Sequence, residues 1–598
     1  MPPARPNRRL PASISANKRL KIWYGLLIAV LVIFTARLFY LQIIRHDYYQ
    51  NKAQAAQLKE YEIPAERGTI KAYENGNTVP LVLNQTMYTL YADPVYIKDV
   101  DAAAAKIAAI TKAKAADYAK IMHTPGTRYA VLAKRVSQQQ KDQISALKLP
   151  GIGLQPQDYR VYAQGTLASQ LLGFVNDDGD GKYGVEQALN KALSGSPGRL
   201  KAVTDAAGVP LAASKDNVEI APKDGSDVVL TIDIGMQKQL EGLLKAGLDR
   251  AASKSGSALV IDPYSGAVKA MANWPTYDPS QFFKVKDPSV FNNASVSSPL
   301  EVGSTMKPLT AAAAIDQGVI SANSTYNDPS RWHLDGHDVT NIEEDGGPGT
   351  HSIAQILDLS INTGATWMLM QMGGQTGTVN QKARDRWHDY MVNHYNFGKI
   401  TGIEQGYEAP GQVPDPDKGF GLQLTYANTS FGQAMTATPL QMAAALSSVI
   451  NGGKYYQPRL VDKVVLPDGR TETKQPKVVN DHVVAPKVSQ DMRKLMDYVV
   501  KQHYLNGFSY LNFPDSYEVG GKTGTAEIAS PDGGYYADKY NGTYIGFVGG
   551  DKPQYVIVVR VNEPGIYGYA GSQAAQPIFA DIAHMLINNF NVVPKSSH

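Results

Sequence analysis

A long apolar run lies near the N-terminus of this 598-residue chain. It extends from Ile22 to Ile44 and contains a single charged residue, Arg37. At 1.5 Å per residue, a helix over this run would be roughly 35 Å long, enough for the hydrocarbon core of a bilayer. The run therefore predicts a transmembrane helix over residues 22–44. An uncleaved signal anchor is favoured over a cleaved signal peptide, whose apolar region is shorter.

Between residues 45 and 225 the pattern changes to short strands, glycine turns and two helical stretches. Glu74-Asn75-Gly76 lies between stretches of alternating polar and apolar residues, which indicates a hairpin. The alanine-rich segment Asp101–His123 is followed by Pro125, and it predicts one helix. A polar stretch from Ser214 to Asp227 predicts a linker into the next domain.

Residues 226–592 have the pattern of a second, larger domain. The predicted elements are a strand at Val228–Asp233, a helix at Gly235–Ala251, a hairpin over Ser257–Ala272, a helix at Pro439–Ile450, strands at Thr543–Val548 and Tyr555–Val561, and a closing helix at Ala574–Phe590. Two strand-rich ends around a mainly helical middle predict an α+β domain with one mainly antiparallel sheet flanked by helices. Residues 593–598 are left as a C-terminal tail.

Charge determines the expected topology. Six cations and no acidic residue precede the apolar run: Arg5, Arg8, Arg9, Lys18, Arg19 and Lys21. The positive-inside rule then predicts that residues 1–21 are a cytoplasmic basic tail and that the chain after Ile44 lies outside the cell membrane. The remainder carries 52 basic and 55 acidic residues, which argues against a nucleic-acid binder. Chemistry in the exported part must work without cytosolic ATP or NAD.

Composition narrows the candidate chemistry. The chain has no cysteine, which excludes disulfides, thiolate metal sites and a cysteine nucleophile. A mean hydropathy of −0.27 excludes a polytopic membrane protein.

A serine nucleophile is predicted in the segment Gly303-Ser304-Thr305-Met306-Lys307-Pro308, which opens an apolar helix. Pro308 is tolerated only in a first helical turn, so the helix begins near Ser304. Ser304 and Lys307 then share one helix face, where a desolvated lysine could remove the serine proton. By itself the pattern is weak, since Ser-x-x-Lys also occurs at Ser15.

Two further motifs follow in the same domain. Ser360-Ile361-Asn362 lies 56 residues after Ser304, and Lys522-Thr523-Gly524 lies 162 residues after Ser360. A phosphate-binding loop at Lys522 is disfavoured because Ser516 stands where that pattern requires glycine. Together, in this order, the three motifs are those of penicillin-binding proteins and class A β-lactamases.

The chain resembles the class B penicillin-binding proteins, the monofunctional transpeptidases, over nearly its whole length. Signatures similar to those of the family are Arg37-Leu38-Phe39-Tyr40-Leu41-Gln42-Ile43, Glu66-Arg67-Gly68-Thr69-Ile70, Leu172-Gly173-Phe174-Val175, Gly184-Val185-Glu186, Gly432-Gln433 and Thr438-Pro439-Leu440-Gln441-Met442-Ala443. One departure is Tyr73-Glu74, where the family usually has Asp-Arg. The resemblance implies that residues 45–225 are an elongated, strand-rich pedestal and that residues 226–592 are the transpeptidase domain.

The resemblance also implies a mechanism. The substrate would be the D-Ala-D-Ala end of a peptidoglycan stem peptide, with Ser304 as nucleophile and Lys307 as its base. Ser360, Asn362 and Lys522 would complete the catalytic set. Thr523, Gly524 and Thr525 would bind the substrate, whose carboxylate would meet Lys522 and the two threonine hydroxyls, and the backbone N–H groups of Ser304 and Thr525 would form the oxyanion hole.

Partners are implied in the same way. A second stem peptide would supply the acceptor amine, and β-lactams would be covalent inhibitors. A SEDS-family glycan polymerase and membrane proteins of the division machinery would be the protein partners, because no glycosyltransferase domain is recognised. The overall pattern is closer to the division type than to the elongation type.

Three alternatives stay open at this stage. A D,D-carboxypeptidase or β-lactamase would share the motifs but pass the acyl group to water. A division scaffold without turnover would be expected to lose Ser304 or Lys522, and a β-lactam sensor would need a cytoplasmic signalling domain.

No cofactor or metal is expected from the sequence. Asn176–Gly181 begins like a calcium loop, but the bidentate position holds Gln187. His333 and His337 flank Asp335-Gly336, which signals a hairpin turn rather than a zinc-binding helix. Glu343-Glu344-Asp345 predicts a solvated acidic loop.

Overall fold

The computed structural model describes residues 16–49, 52, 58–203, 218–341, 347–529 and 534–596. The predicted basic tail up to residue 15, residues 214–217 of the predicted linker and the acidic stretch 343–345 lie outside these described residues. The chain divides into two compact units. One consists of residues 1–65 with 196–223, and the other of residues 66–195 with 224–598.

The strands and helices are numbered in chain order. The strands are β1 (Leu58–Ile63), β2 (Ile70–Glu74), β3 (Asn77–Ala92), β4 (Ala130–Val136), β5 (Ile152–Tyr162), β6 (Phe174–Val175), β7 (Gly181–Lys182), β8 (Gly198–Val203), β9 (Val218–Ile220), β10 (Asp227–Asp233), β11 (Ser255–Ile261), β12 (Val268–Trp274), β13 (Thr325–Asn327), β14 (Arg331–Leu334), β15 (His337–Thr340), β16 (Thr350–Ser352), β17 (Tyr455–Tyr456), β18 (Val461–Val465), β19 (Thr471–Thr473), β20 (Val478–Asn480), β21 (Glu518–Ala529), β22 (Tyr535–Gly549) and β23 (Pro553–Asn562). The α-helices are α1 (Ala16–Phe39), α2 (Val100–Thr111), α3 (Ala115–Met122), α4 (Gln138–Ala146), α5 (Ser169–Leu172), α6 (Gly184–Ala188), α7 (Asn190–Ser194), α8 (Ile234–Arg250), α9 (Ala294–Ser297), α10 (Lys307–Asp316), α11 (Ile353–Asp358), α12 (Asn362–Gly373), α13 (Gln381–Asp389), α14 (Leu422–Thr429), α15 (Pro439–Ile450), α16 (Pro486–Leu505) and α17 (Gln576–Asn589).

The first unit contains the N-terminal helix and a small sheet. Helix α1 is followed directly by a π-helical turn at Tyr40–Ile44. The stretch Leu20–Ile44 is long and apolar enough to cross a membrane. Strands β1, β8 and β9 form a three-stranded antiparallel sheet in that order. The structure thus has one N-terminal apolar helix, as the sequence predicts.

In the second unit, a seven-stranded sheet combines strands from both sides of residue 225. The strand order is β19-β18-β10-β2-β3-β4, with β5 also paired to β3. Strand β10 pairs in parallel with β2 and antiparallel with β18. The predicted hairpin at Glu74-Asn75-Gly76 is confirmed, since Asn75 (φ 50°) and Gly76 (φ 80°) adopt left-handed conformations between β2 and β3.

The segment Asp101–His123, predicted as one helix, forms the two helices α2 and α3. Lys112 lies between them with φ 59°, and this left-handed residue ends α2. Ile107 of α2 and Tyr118 of α3 are buried in the same hydrophobic cluster. The chain must turn between the two helices to bring both side chains into that cluster, and alanine-rich composition gives no local signal for the turn.

A buried ionic cluster connects two of the signatures named above. The carboxylate of Glu186 is fully buried and accepts hydrogen bonds from Arg67 Nε at 2.9 Å and Arg160 Nε at 2.8 Å. Buried charges require such pairing because the interior solvates them poorly. The cluster holds residue 67, before β2, against strand β5 and helix α6.

The other large sheet is the layer that carries part of the candidate site. Its order is β12-β11-β23-β22-β21, and every neighbouring pair is antiparallel. Successive residues of a strand face opposite sides, so Ala258 and Val260 pack with α8 and α17. Leu259 and Ile261 face the other side and join a cluster with α10 and α15. The predicted mainly antiparallel sheet flanked by helices is therefore confirmed.

Candidate active site

Ser304 and Lys307 are adjacent at the start of a buried helix. A 3₁₀ turn at Gly303–Met306 leads directly into α10, with Pro308 in the first turn. Lys307 Nζ lies 2.9 Å from Ser304 Oγ. The lysine side chain is fully buried, and the helix around it is apolar. The i, i+3 spacing thus places the serine hydroxyl against a desolvated amine.

The second motif meets the same amine. Lys307 Nζ contacts Ser360 Oγ at 3.0 Å, Asn362 Oδ1 at 2.8 Å and also the Ser360 carbonyl oxygen. With the contact to Ser304, these make four oxygen neighbours, whereas an ammonium has three N–H bonds. One of the four oxygens can therefore be the hydrogen-bond donor to a neutral Lys307 amine.

The backbone at Ser360 explains how this contact forms. Helix α11 ends at Asp358 and α12 begins at Asn362, and Ser360 between them has φ 58°. A left-handed conformation is costly for a non-glycine residue, so the surrounding packing maintains it. The resulting turn directs both the carbonyl and the hydroxyl of Ser360 to Lys307.

The third motif lies on strand β21. Lys522 is fully buried, and its Nζ donates to Thr523 Oγ1 at 3.1 Å. Thr525 Oγ1 accepts a hydrogen bond from the Gly571 backbone N–H at 3.1 Å. These contacts position the lysine and a threonine hydroxyl on the sheet edge next to the serine turn.

Glycines allow the strand and the turn to approach each other closely. A Cβ added to Gly303, which has φ 60°, would lie 2.6 Å from Thr525 O. A Cβ on Gly524 would lie 2.8 Å from Val302 O. The structure therefore brings together the predicted residues Ser304, Lys307, Ser360, Asn362, Lys522, Thr523, Gly524 and Thr525.

A hairpin that the sequence analysis did not assign to the site supports Asn362. Asn362 Nδ2 donates to Thr340 O at 3.1 Å, at the end of strand β15. The hairpin β14–β15 turns at Asp335-Gly336, as predicted for the segment between His333 and His337. The adjacent Thr363 hydroxyl donates to buried Asp328 at 2.9 Å. No motif in this region indicated these contacts, because they join positions far apart along the chain.

Glu301 anchors the residue before the serine turn. Its carboxylate accepts hydrogen bonds from the Tyr535 hydroxyl at 2.9 Å and the Ala434 backbone N–H at 3.0 Å. Burial raises the pKa of Glu301, and the nearby Glu527 carboxylate also acts in this direction. Sequence reasoning missed this residue, although its position three residues before Ser304 is a usable signal.

Two further titratable groups lie close to Lys522. Asp358 ends helix α11 and His503 lies in helix α16, with 3.6 Å between Asp358 Oδ1 and His503 Nε2. Burial raises the pKa of Asp358 to about 6, against the opposing effect of the Lys522 charge. Burial and then the Lys522 charge lower the pKa of His503 to about 4. Among the residues that the structure describes, no three His, Asp or Glu side chains are grouped to hold a metal ion.

Two protein families match the chain over adjacent segments. Residues 62–230 match the family described as Penicillin-binding Protein dimerisation domain. Residues 256–584 match the Penicillin binding protein transpeptidase domain, which is more than half of the chain. The chain belongs to the class B penicillin-binding proteins.

Known relatives agree with this assignment. Penicillin-binding protein PbpB of Mycolicibacterium smegmatis is 31% identical over 95% of this chain and 89% of its own length. Peptidoglycan D,D-transpeptidase FtsI of Escherichia coli K12 is 25% identical over 99% of this chain and 95% of its own length. Penicillin binding protein 3 of Mycobacterium tuberculosis, crystallised with ampicillin, is similar with a TM-score of 0.66 at 25% identity, over 90% of this chain and 98% of that one. The protein is a serine-type D-Ala-D-Ala transpeptidase.

Proposed function

We propose that this transpeptidase cross-links stem peptides through an acyl-enzyme on Ser304, with septal cell-wall synthesis as its setting. The observation that carries the proposal is the 2.9 Å contact between Ser304 Oγ and the buried Lys307 Nζ. A serine hydroxyl becomes a strong nucleophile only when a nearby base accepts its proton.

In the acylation step, Ser304 Oγ attacks the carbonyl carbon of the penultimate D-Ala and passes its proton to neutral Lys307. The negative charge that forms on the carbonyl oxygen is stabilised by the backbone N–H groups of Ser304 and Thr525, which are often the largest contribution in such reactions. The peptide C–N bond then breaks. Ser360 relays a proton to the departing amine, and D-Ala leaves.

Donor binding is assigned to the remaining site residues. Lys522, Thr523 and Thr525 hold the terminal carboxylate by charge and hydroxyl hydrogen bonds. Gly524 lets strand β21 approach the serine turn, since any side chain would meet Val302 O. Asn362 holds the amide of the stem peptide.

In the second step, an amine from a neighbouring stem peptide attacks the ester carbonyl. The ester C–O bond breaks, Ser304 regains a proton, and a cross-link is formed. β-Lactams imitate the donor and remain attached as the acyl-enzyme.

The chain organisation is proposed as follows. Residues 1–21 are a cytoplasmic tail, 22–44 a single membrane anchor, 45–225 the pedestal, 226–592 the transpeptidase domain and 593–598 a tail. The six cations before the apolar run support a cytoplasmic N-terminus, so the catalytic domain faces the periplasm or the exterior.

A division role with membrane partners completes the proposal. Similarity to FtsI over 99% of the chain supports it. A SEDS-family polymerase and other division proteins would meet the anchor and pedestal. A tagged copy in growing cells is expected to form a midcell band, and an even distribution along the cell wall would contradict the septal role.

Labelling with penicillin tests the nucleophile. A fluorescent penicillin is expected to attach to Ser304, and Ser304→Ala should lose the label while keeping its melting temperature. A serine outside the site, as in Ser489→Ala, should leave labelling intact. Labelling of the Ser304→Ala variant would show that another group is the nucleophile.

Product analysis separates transfer from hydrolysis. With a D-Ala-D-Ala peptide and an added amine acceptor, cross-linked product is expected to exceed free acid. Free acid alone would favour the carboxypeptidase alternative, and labelling without turnover would favour a scaffold or sensor.

A further inference from the structure

The candidate site holds two fully buried lysines, Lys307 and Lys522. Two ammonium groups in one desolvated cleft repel each other, so a single positive charge is favoured over two. The proposed mechanism needs a neutral Lys307 to take the serine proton and a cationic Lys522 to meet the substrate carboxylate. The surroundings of the two amines must therefore distinguish them.

Asp358 provides such a distinction. Its side chain is 9% exposed, and its carboxylate interacts electrostatically with Lys522. The four contacts of Lys307 Nζ described above are instead to neutral oxygens of Ser304, Ser360 and Asn362. A carboxylate near one amine favours the proton on that amine.

His503 lies beside Asp358 without adding a second cation. Gln576 Nε2 lies 2.7 Å from His503 Nδ1, and the Tyr510 hydroxyl lies 3.1 Å from Gln576 Oε1. This arrangement makes Nδ1 the acceptor and leaves the Nε2–H directed at Asp358 Oδ1, 3.6 Å away. The low pKa of His503 keeps the imidazole neutral at physiological pH.

The ionisable groups around the pair come from five elements. Asp358 is on α11, His503 on α16, Lys522 on β21, Tyr510 on a 3₁₀ turn and Tyr544 on β22. Burial raises the pKa of both tyrosines, so they stay neutral. The net charge of the group is therefore zero when Asp358 is ionised and Lys522 is protonated.

The arrangement has a cost for the fold. Among the described residues, Asp358 Oδ1 is buried without a hydrogen-bond partner. Such an atom lowers the free energy of unfolding, and groups of this kind are concentrated at functional sites.

We propose, resting on the function proposed above, that Asp358, oriented by His503 and Gln576, is a positioning residue that keeps the cleft's proton on Lys522 and leaves Lys307 neutral. Its loss would let the two lysines share that proton. Acylation would then be slower, since either the base or the carboxylate partner is in the wrong state.

The test is the acylation rate of Asp358→Asn by fluorescent penicillin, measured against pH in the full-length protein. Asp358 is charged only above its pKa of about 6. The wild type is therefore expected to be about tenfold faster than the variant at pH 8, the size of a coupling of one pKa unit. The two rates should converge near pH 5, where the wild-type carboxyl is protonated as well.

Thermal stability gives a second readout with the opposite sign. Because folding raises the pKa of Asp358, the folded state binds more protons than the unfolded state between pH 4 and 6, and ionisation destabilises the fold above this window. Asp358→Asn is thus expected to raise the melting temperature at pH 8 and to change it little at pH 5. Asp358→Glu should restore part of the acylation rate.

The control is Asp481→Asn, whose carboxylate is 68% exposed and away from the cleft. A pH-independent rate ratio, or a ratio of one at pH 8, would overturn the inference. A variant that is slower and also less stable would indicate a merely structural role. Absence of label on Ser304 in the wild type would instead refute the proposed function.

Discussion

At the scale of single residues, the site depends on one buried amine with several oxygen partners. Lys307 Nζ contacts Ser304, Ser360 and Asn362, so it links two motifs 56 residues apart. The pattern Ser-x-x-Lys predicted the first contact, because helix geometry alone places i and i+3 on one face. The other contacts depend on the left-handed turn at Ser360, which no local propensity indicated.

Replacing Lys307 by methionine tests the base directly. Methionine has a similar length and packs well in an apolar environment, but it cannot accept the serine proton. Acylation by labelled penicillin is expected to fall by about 10²–10⁴-fold, the usual range for loss of a general base. Near-normal labelling of a folded Lys307→Met protein would remove Lys307 from this role.

At the scale of elements, strand β21 and the 3₁₀ turn at Gly303–Met306 must touch without side chains between them. The Thr543 hydroxyl of strand β22 donates to Val302 O at 3.1 Å and fixes the turn against the sheet. Most elements here were predictable from periodicity, including α15, whose limits match the prediction at Pro439 and Ile450. The split of Asp101–His123 into two helices was not, because tertiary packing determines where an alanine-rich segment turns.

Gly524→Ala tests the close approach of the two elements. The added methyl group would lie 2.8 Å from Val302 O, so β21 or the turn must move. We expect at least a tenfold loss in the acylation rate, since small displacements of reacting groups are costly. Gly242→Ala in α8, where the structure has nothing within 4 Å, is the matched control. It should keep full activity and gain about 0.5–1 kcal/mol of stability.

At the scale of the molecule, the seven-stranded sheet makes the two sequence regions interdependent. Strand β10 belongs to the region proposed as the transpeptidase domain, yet its parallel neighbour β2 lies before residue 75. Ile70 and Ala72 of β2 are fully buried in the same cluster as Val228 and Leu230. A linear division of the chain near residue 225 therefore cuts through a shared sheet and core.

A chain that begins at Ser226 tests this dependence. It would expose one edge of β10 and the apolar side chains that β2 covers, and exposed edges promote association. Its melting temperature is expected to be lower by several degrees than that of a chain beginning at residue 45. Equal melting temperatures and equal solubility for the two chains would show that β2 contributes little.

Local features of the amino-acid order were sufficient for the apolar anchor, most strands and helices, and the three motifs. Each depends on residues close together in the chain, where hydrophobic period, turn residues and helix spacing act directly. The fold alone could show that β2 completes a sheet with β10, that the β14–β15 hairpin holds Asn362, and that Asp358 and His503 lie beside Lys522. Those contacts join distant segments, and their energies come from burial and charge, which depend on the packed structure rather than on sequence spacing.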